Sequence, residues 1–174
     1  MEASAAVMTL QRREPERRCD IRRGWATLAL WLGATAVTAQ PIVMPNFSST
    51  TGLTLNSSTT TTNSVPGDGT VLRLAATQTF DVGGVFATAP LNVAPGFSTT
   101  FGFRLTSPGG LADSTGAPGA DGLVFVVQRG GATTLGGSGA GLGYQNIGSS
   151  VGVEFDTWRN AEFGDPSSKH VGID

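Results

Sequence analysis

The sequence predicts an all-β fold. The chain has 25 glycines among its 174 residues, and only 14% of its residues are charged. It is also rich in threonine, serine and valine, and its apolar residues show no sustained 3.6-residue period of the kind an amphipathic helix requires. Short segments of alternating apolar and polar residues are instead separated by turn-forming residues. That pattern is typical of strands joined by loops.

The N-terminal 39 residues resemble an export signal. Residues 12–23 are basic, and residues 25–39 form an apolar run without charge. The run ends in Val37-Thr-Ala39, small residues of the kind that precede a cleavage point. We therefore expect residues 1–39 to be a signal peptide and residues 40–174 to be the mature part of one domain, secreted or held at the cell surface. The alternative is an uncut N-terminal anchor, although the run is shorter than the roughly 20 residues a membrane span needs.

The expected mature part is acidic and lacks cysteine. From Gln40 onward it has five basic and nine acidic residues, a net charge of -4, and the single cysteine, Cys19, lies before the apolar run. Without a basic patch, neither nucleic acid nor an anionic membrane is expected as a partner, and no membrane span is expected in the mature chain. Without disulfides, the fold depends on its core and on any metal that it binds.

Four segments in the first half of the mature chain are candidate strands. Residues 58–62 form either a loop or a solvated edge strand, while residues 71–74 and 82–87 are expected strands. Residues 98–105 alternate regularly, with Phe101, Phe103 and Leu105 on one face. This alternation predicts a half-buried strand whose phenylalanines belong to the core.

Two glycine-rich loops flank the next expected strand, residues 123–127. These five residues are all apolar, which predicts a strand buried on both faces. The preceding loop, residues 107–120, is long enough that either a functional role or disorder is expected, and it leads to Asp121, which by default is a turn residue. The following loop, residues 130–143, contains seven glycines, which permit either close approach of a ligand or a flexible hairpin connection.

The stretch from Val151 to His170 holds the clearest candidate site. Val151, Val153 and Phe155 alternate with Gly152, Glu154 and Asp156, so the two carboxylates share one face of a strand. The residues that follow form a loop, and His170 begins a returning strand. The polar side chains that can converge beyond the end of the strand are Glu154, Asp156, Asn160, Asp165 and His170.

This set of side chains suits metal ions. Carboxylates placed close together repel one another unless a cation neutralises them. Oxygen ligands suit Ca²⁺, whereas imidazole beside carboxylates suits a transition metal such as Mn²⁺ or Zn²⁺. The spacing therefore favours two adjacent ions that share carboxylates. The competing interpretation is a solvated acidic loop with an isolated histidine, because Asp and Asn are common in turns.

The same residues resemble the legume-type (L-type) lectin family. The resemblance rests on Val-Glu-Phe-Asp-Thr-Trp, Asn160, Asp165-Pro166 and His170-Val-Gly-Ile-Asp, and it extends more weakly back to about Asn46. It implies a secreted, bacterial member of the family with an antiparallel β-sandwich of the jelly-roll, concanavalin-like type. The family's chain continues for several more strands, so we expect the sandwich to be incomplete at the C-terminus.

The resemblance assigns ligands to both ions. The transition-metal site, for Mn²⁺ or another such ion, would use Glu154, Asp156, Asp165 and His170. The calcium site would use Asp156, the backbone carbonyl of Trp158, Asn160 and Asp165.

The resemblance also assigns the sugar contacts. Asp121, preceded by a cis peptide at Ala120–Asp121, would accept hydrogen bonds from sugar hydroxyls, and Asn160 would contribute its amide. A loop glycine, Gly139 or Gly141, would donate a backbone N–H. Trp158 could cover the apolar face of the sugar ring with its indole. The family's fourth sugar-contacting loop lies beyond Asp174, so sugar specificity cannot be predicted.

The expected function is therefore metal-dependent binding of glycans by a protein that is not an enzyme and that can form oligomers. Two alternatives remain. In a glycoside hydrolase, Glu154 and Asp156 would be a nucleophile and its helper, but the paired acid is missing because Trp158 stands at the next inward position. In a structural or adhesive module, the sugar site would have decayed, and replacing Asp121 would change nothing.

Overall fold

The computed structural model describes residues 2–4, 42–62, 67–94, 96–108 and 112–174. It contains short strands, labelled β1 to β9, and two 3₁₀ turns, η1 and η2. In chain order these are β1 Glu2–Ser4, β2 Leu53–Ser57, β3 Thr60–Thr62, β4 Val71–Arg73, β5 Gly83–Ala87, β6 Arg104–Thr106, β7 Gly122–Gln128, η1 Gly139–Gly141, β8 Ser150–Asp156, η2 Ala161–Phe163 and β9 His170–Ile173.

The described strands form three antiparallel sheets. The first has the order β3-β4-β1-β6, the second pairs β2 with β5, and the third has the order β7-β8-β9. This arrangement confirms the predicted all-β, antiparallel class. Where the structure describes the chain, it has no helix long and apolar enough to cross a membrane.

The first strand, β1, lies within the expected signal segment. Its backbone pairs with β4 on one side and with β6 on the other. The basic stretch, the apolar run and the expected cleavage point lie outside the described residues. The signal peptide therefore remains a prediction.

The strand expected at residues 98–105 is shorter than the alternation indicated. Only Arg104–Thr106 forms a strand, because only these three residues pair with a neighbour, β1. The alternation predicts the ring contacts but overstates the burial, because Phe101 is half-buried and Phe103 is 39% exposed. The rings of Phe101 and Phe103 lie 6.0 Å apart, and both contact Phe155 of β8.

The serine- and threonine-rich segment contains two strands. Thr60–Thr62 is β3, which forms the edge of the first sheet, as one of the two interpretations expected. Leu53–Ser57 is β2, which the sequence analysis did not predict, and all five of its residues pair with β5.

The prediction for residues 123–127 was right about the strand and wrong about its burial. These residues lie within β7, but only Leu123 is buried, at 9% exposure, and the other four are half-buried. These half-buried residues line an open cavity, and β7 is also an edge strand that has only β8 as a neighbour in its sheet. One side of the strand is therefore open.

The apolar face of the third sheet packs on a phenylalanine cluster. Phe125 of β7 stacks on Phe101, with ring centroids 5.6 Å apart, and Phe155 of β8 lies 4.7 Å from Phe103. The cluster joins this sheet to the segment that leads into β6. The opposite face of the third sheet carries the polar residues, because successive side chains of a strand point to opposite sides.

Candidate functional site

The candidate site lies where β7 begins, β8 ends and β9 begins. Asp156, the last residue of β8, pairs with Gly122 on one side and with His170 on the other. The loop of residues 157–169, which we call the metal loop, connects β8 to β9. The register brings the segment after Ala120, the metal loop and His170 to one edge of the sheet.

Four of the predicted metal ligands lie together on this edge. Asp156, Asp165 and His170 each offer a ligand atom, and these atoms all lie within 4.8 Å of one another. Glu154 is outside that tight set, but its Oε1 lies 3.2 Å from His170 Nε2, which is also 3.7 Å from Asp165 Oδ1. His170 Nδ1 faces the carbonyl oxygen of Ser167 at 3.2 Å. The imidazole therefore presents Nε2 to the carboxylates.

The electrostatics of these carboxylates fit a cation. Burial raises the pKa of Asp156, and the charges of Asp165 and Asp121 raise it further. Burial also raises the pKa of Glu154, and interactions with Asp174 and Asp156 raise it further. Each shift reflects the cost of ionising a carboxyl group near others in a partly buried place, and a divalent ion removes that cost. The donor set of carboxylates and imidazole thus suits the ions that the sequence analysis expected.

Side chains of the metal loop hold its own backbone. Asp156 Oδ1 accepts a hydrogen bond from the Trp158 N–H at 2.6 Å, and Asp165 Oδ2 accepts one from the Asn160 N–H at 2.6 Å. The turn η2, Ala161–Phe163, closes the segment between Asn160 and Asp165. These bonds hold Trp158 and Asn160 beside the carboxylates.

Asp121 is fastened to the same place through its backbone. The Ala120–Asp121 peptide is cis, as the resemblance implied. The Asp121 carbonyl accepts hydrogen bonds from Thr157 N–H at 2.7 Å and from Thr157 Oγ1 at 2.9 Å. Burial raises the pKa of the Asp121 side chain. Gly122 permits this approach, because a Cβ there would collide with the Phe155 carbonyl oxygen and lie 3.0 Å from Asp156 Cα.

Of the two candidate loop glycines, the structure brings Gly139 to Asp121. A Cβ built on Gly139 would lie 4.0 Å from Asp121 Oδ2, and in the described chain no residue accepts a hydrogen bond from the Gly139 N–H. Gly141 instead lies against Gln145, and its N–H donates to the Ser138 carbonyl at 3.2 Å. Sequence alone could not separate the two glycines.

Four of the five candidate saccharide-contact residues line one open cavity of about 1640 Å³. Asp121, Gly139, Trp158 and Asn160 are all among its lining residues, whereas Gly141 is not. Apolar side chains line most of the remainder. The polar groups therefore lie along one side of a largely apolar depression, which is larger than the roughly 300–1,000 Å³ of a typical small-ligand pocket.

Two residues of this region were missed at the sequence level. Phe80 lines the cavity near Gly139, is 78% exposed and has a backbone φ of 61°, which is unusual for an aromatic residue. Asp113 is 7% exposed and accepts a hydrogen bond from Arg159 of the metal loop. No local pattern marks Phe80. The turn sequence Asp113-Ser-Thr-Gly was the only available signal for Asp113.

Comparisons with known proteins agree with this geometry. The family model described as the legume lectin domain matches residues 42–174. A galactose-binding lectin of Arachis hypogaea is 36% identical over 95 residues, which is 52% of this chain and 32% of that protein. A lectin of Leucomphalos mildbraedii is 32% identical over 100 residues, which is 53% of this chain and 42% of that protein.

A third relative is a larger protein. An L-type lectin-domain containing receptor kinase, V.9, of Arabidopsis thaliana is 32% identical over 118 residues, which is 60% of this chain and 17% of that protein. The chain thus spans less than half the length of each of these relatives. The legume lectin domain is not an enzyme domain, which confirms the expectation that residues 42–174 do not form a hydrolase. The family match covers well over half of the chain, and the chain belongs to the legume lectin family.

Proposed function

We propose that the protein is a secreted or cell-surface lectin that binds glycans in a manner dependent on Ca²⁺ and a transition-metal ion such as Mn²⁺. One observation carries the proposal. The metal-ligand cluster of Asp156, Asp165 and His170 lies at the same sheet edge as Asp121 and the Asn160 backbone. The match to the legume lectin domain supports the same function.

The residues that would hold the ions are those of the cluster and the metal loop. Glu154, Asp156, Asp165 and His170 would bind the transition metal. Asp156, Asp165, Asn160 and the Trp158 carbonyl would bind calcium. When bound, the ions supply positive charge that offsets the mutual repulsion of the carboxylates.

The chain's own groups would make the contacts with sugar. Asp121 is an acceptor, the Asn160 amide donates and accepts, and the Gly139 N–H is a donor. Sugar hydroxyls both donate and accept, so this combination can satisfy them together. The indole of Trp158 offers an apolar surface to the C–H face of the ring.

The openness of the cavity bears on affinity. A ligand bound there stays partly exposed to solvent, so we expect weak binding of a single sugar. Linking several sites, within an oligomer or on a glycan-rich surface, strengthens such binding without any new contact. Glycans presented in several copies are therefore the expected partners.

The structural or adhesive alternative makes a different prediction about Asp121. A module with a decayed site would bind no glycan, or would bind it by surfaces that do not involve this carboxylate. The lectin function requires the Asp121 side chain as an acceptor. Substituting the Asp121 side chain therefore distinguishes the lectin function from the structural or adhesive alternative.

The test is a glycan array probed with the purified protein in Ca²⁺ and Mn²⁺, beside the Asp121→Asn variant. We expect the wild type to bind a defined set of glycans. The variant should lose about tenfold to a hundredfold in affinity, the cost of removing a hydrogen bond to a charged acceptor. Asp68→Asn is the control, because Asp68 pairs with Arg104 at 3.0 Å on an exposed surface. Equal binding by the wild type and Asp121→Asn would exclude the proposal.

A further inference from the structure

Asp113 is a buried carboxylate that the proposed function does not use. It lies in the segment that leads to Asp121, which we call the approach loop, residues 112–121. The residue is 7% exposed. Burying an ionised carboxylate is costly unless hydrogen bonds replace its water, so its partners show what the burial accomplishes.

One oxygen of Asp113 closes the approach loop on itself. Oδ1 accepts hydrogen bonds from Thr115 N–H at 2.8 Å, Thr115 Oγ1 at 2.6 Å and Ala117 N–H at 3.0 Å. The Asp113 N–H donates to the Ala117 carbonyl at 3.0 Å. These bonds alone would make Asp113 a local turn residue.

The other oxygen reaches outside the loop. Oδ2 accepts a hydrogen bond from Arg159 N–H at 3.2 Å, and Arg159 lies between Trp158 and Asn160 in the metal loop. A second connection joins Thr115 Oγ1 to Ser168 Oγ at 2.6 Å, two residues before His170. Asp113 and its partner Thr115 thus contact the metal loop near both of its ends.

We propose that Asp113 is a positioning residue that fastens the approach loop to the metal loop, so that ordering of the metal loop is transmitted to Asp121. The inference deepens the proposed function and rests on it for the meaning of Asp121. A turn residue needs only Oδ1. The bond from Arg159 to Oδ2 is what couples the two loops, and Thr157 provides the matching bond at the Asp121 carbonyl.

The charge state of Asp113 agrees with this role. The hydroxyl of Thr115 holds the pKa of Asp113 well below its ordinary value, and the Ser168 hydroxyl and two backbone N–H groups act in the same direction against the cost of burial. The side chain is therefore an ionised acceptor at neutral pH.

Hydrogen exchange of the intact protein, with and without Ca²⁺ and Mn²⁺, tests the coupling. In the wild type we expect added metal to slow amide exchange in both residues 112–121 and residues 157–169. In Asp113→Asn, which cannot accept at both oxygens, metal should still slow exchange in the metal loop. Its effect on the approach loop should fall by about tenfold, the factor carried by one hydrogen bond to a carboxylate. An unchanged effect on residues 112–121 in Asp113→Asn would overturn the inference.

A second pair of variants separates coupling from folding. Ser168→Ala removes the hydroxyl that contacts Thr115, and Ser168→Thr retains one. We expect the alanine variant to lose part of the metal-induced protection of the approach loop and the threonine variant to regain it. Equal loss in both would contradict the inference. These readouts do not require glycan, so a wild type that binds no glycan refutes the proposed function while the coupling is still measured.

Discussion

Asp156 shows how much of the site depends on single side chains. Its carboxylate lies within 4.8 Å of ligand atoms on Asp165 and His170, and its Oδ1 accepts the Trp158 N–H at 2.6 Å. Its backbone pairs with Gly122, the residue after Asp121. One residue therefore contacts the candidate metal ligands, the metal loop and the start of β7.

Phe80 leads to a prediction about the extent of the saccharide site. Its exposed ring lines the cavity near Gly139, where it can cover a second sugar unit. We expect Phe80→Ala to weaken binding of the oligosaccharide that binds most tightly on the glycan array. The loss should be about threefold to tenfold, the range for an aromatic contact of this kind. Titration calorimetry measures the effect. Phe163→Ala is the matched control, since Phe163 is 60% exposed and does not line the cavity. Equal effects of the two substitutions would remove Phe80 from the site.

Asp113 leads to a prediction about pH. Its pKa is lowered in the fold, chiefly by the Thr115 hydroxyl, so it binds protons less readily when folded than when unfolded. The stability that it contributes is present above the unfolded-state pKa of about 3.9 and is lost as pH falls towards the lower folded-state pKa. In chelator, the free energy of unfolding should differ between wild type and Asp113→Asn at pH 7, and the difference should shrink towards pH 3. Urea unfolding across this range measures it, and a difference independent of pH would contradict the assignment.

At the scale of elements, β8 presents candidate metal ligands on one face and packs in the phenylalanine cluster with the other. Phe155 points to the phenylalanine cluster, while its neighbours Glu154 and Asp156 point to the candidate metal site. The apolar face is not covered evenly. Val151 is 54% exposed and Val171 is 64% exposed, although both lie on the same face as Phe155.

This uneven burial predicts different costs for two substitutions on one strand. Phe155→Ala should lower the free energy of unfolding by about 2–3 kcal/mol, somewhat less than for a fully enclosed ring. Val151→Ala should change it by less than about 1 kcal/mol, as for most exposed positions. Denaturant titration of the metal-free protein measures both. Similar costs for both would mean that the phenylalanine cluster is not the main packing contact of β8.

Local patterns predicted the elements better than their pairing. Alternation over a few residues indicated β8 and placed Glu154 and Asp156 on one face, because both depend only on neighbouring positions. The strand β2 was missed although Leu53 and Leu55 alternate with Thr54 and Asn56, because so short an alternation inside a serine- and threonine-rich segment is weak evidence for a strand. The choice of Gly139 over Gly141 depended on contacts with Asp121 and Gln145, which a loop of glycines does not encode locally.

At the scale of the whole molecule, the site is assembled from distant parts of the chain. The approach loop, the loop that carries Gly139 and the metal loop meet at one edge of the third sheet. In the described chain, the direct links among them are hydrogen bonds to Asp121 and Asp113, the hydrogen bond between Thr115 and Ser168, and van der Waals contacts. Two bound divalent metal ions would add the charge neutralisation that several partly buried carboxylates require.

The most direct test of this account is the affinity of the wild-type protein for its best array glycan, measured by titration calorimetry before and after removal of bound metal with a chelator. The account predicts that binding is lost in the metal-free protein and returns when Ca²⁺ and Mn²⁺ are added back. Glycan affinity that is unchanged after the ions have been shown to be removed would contradict it.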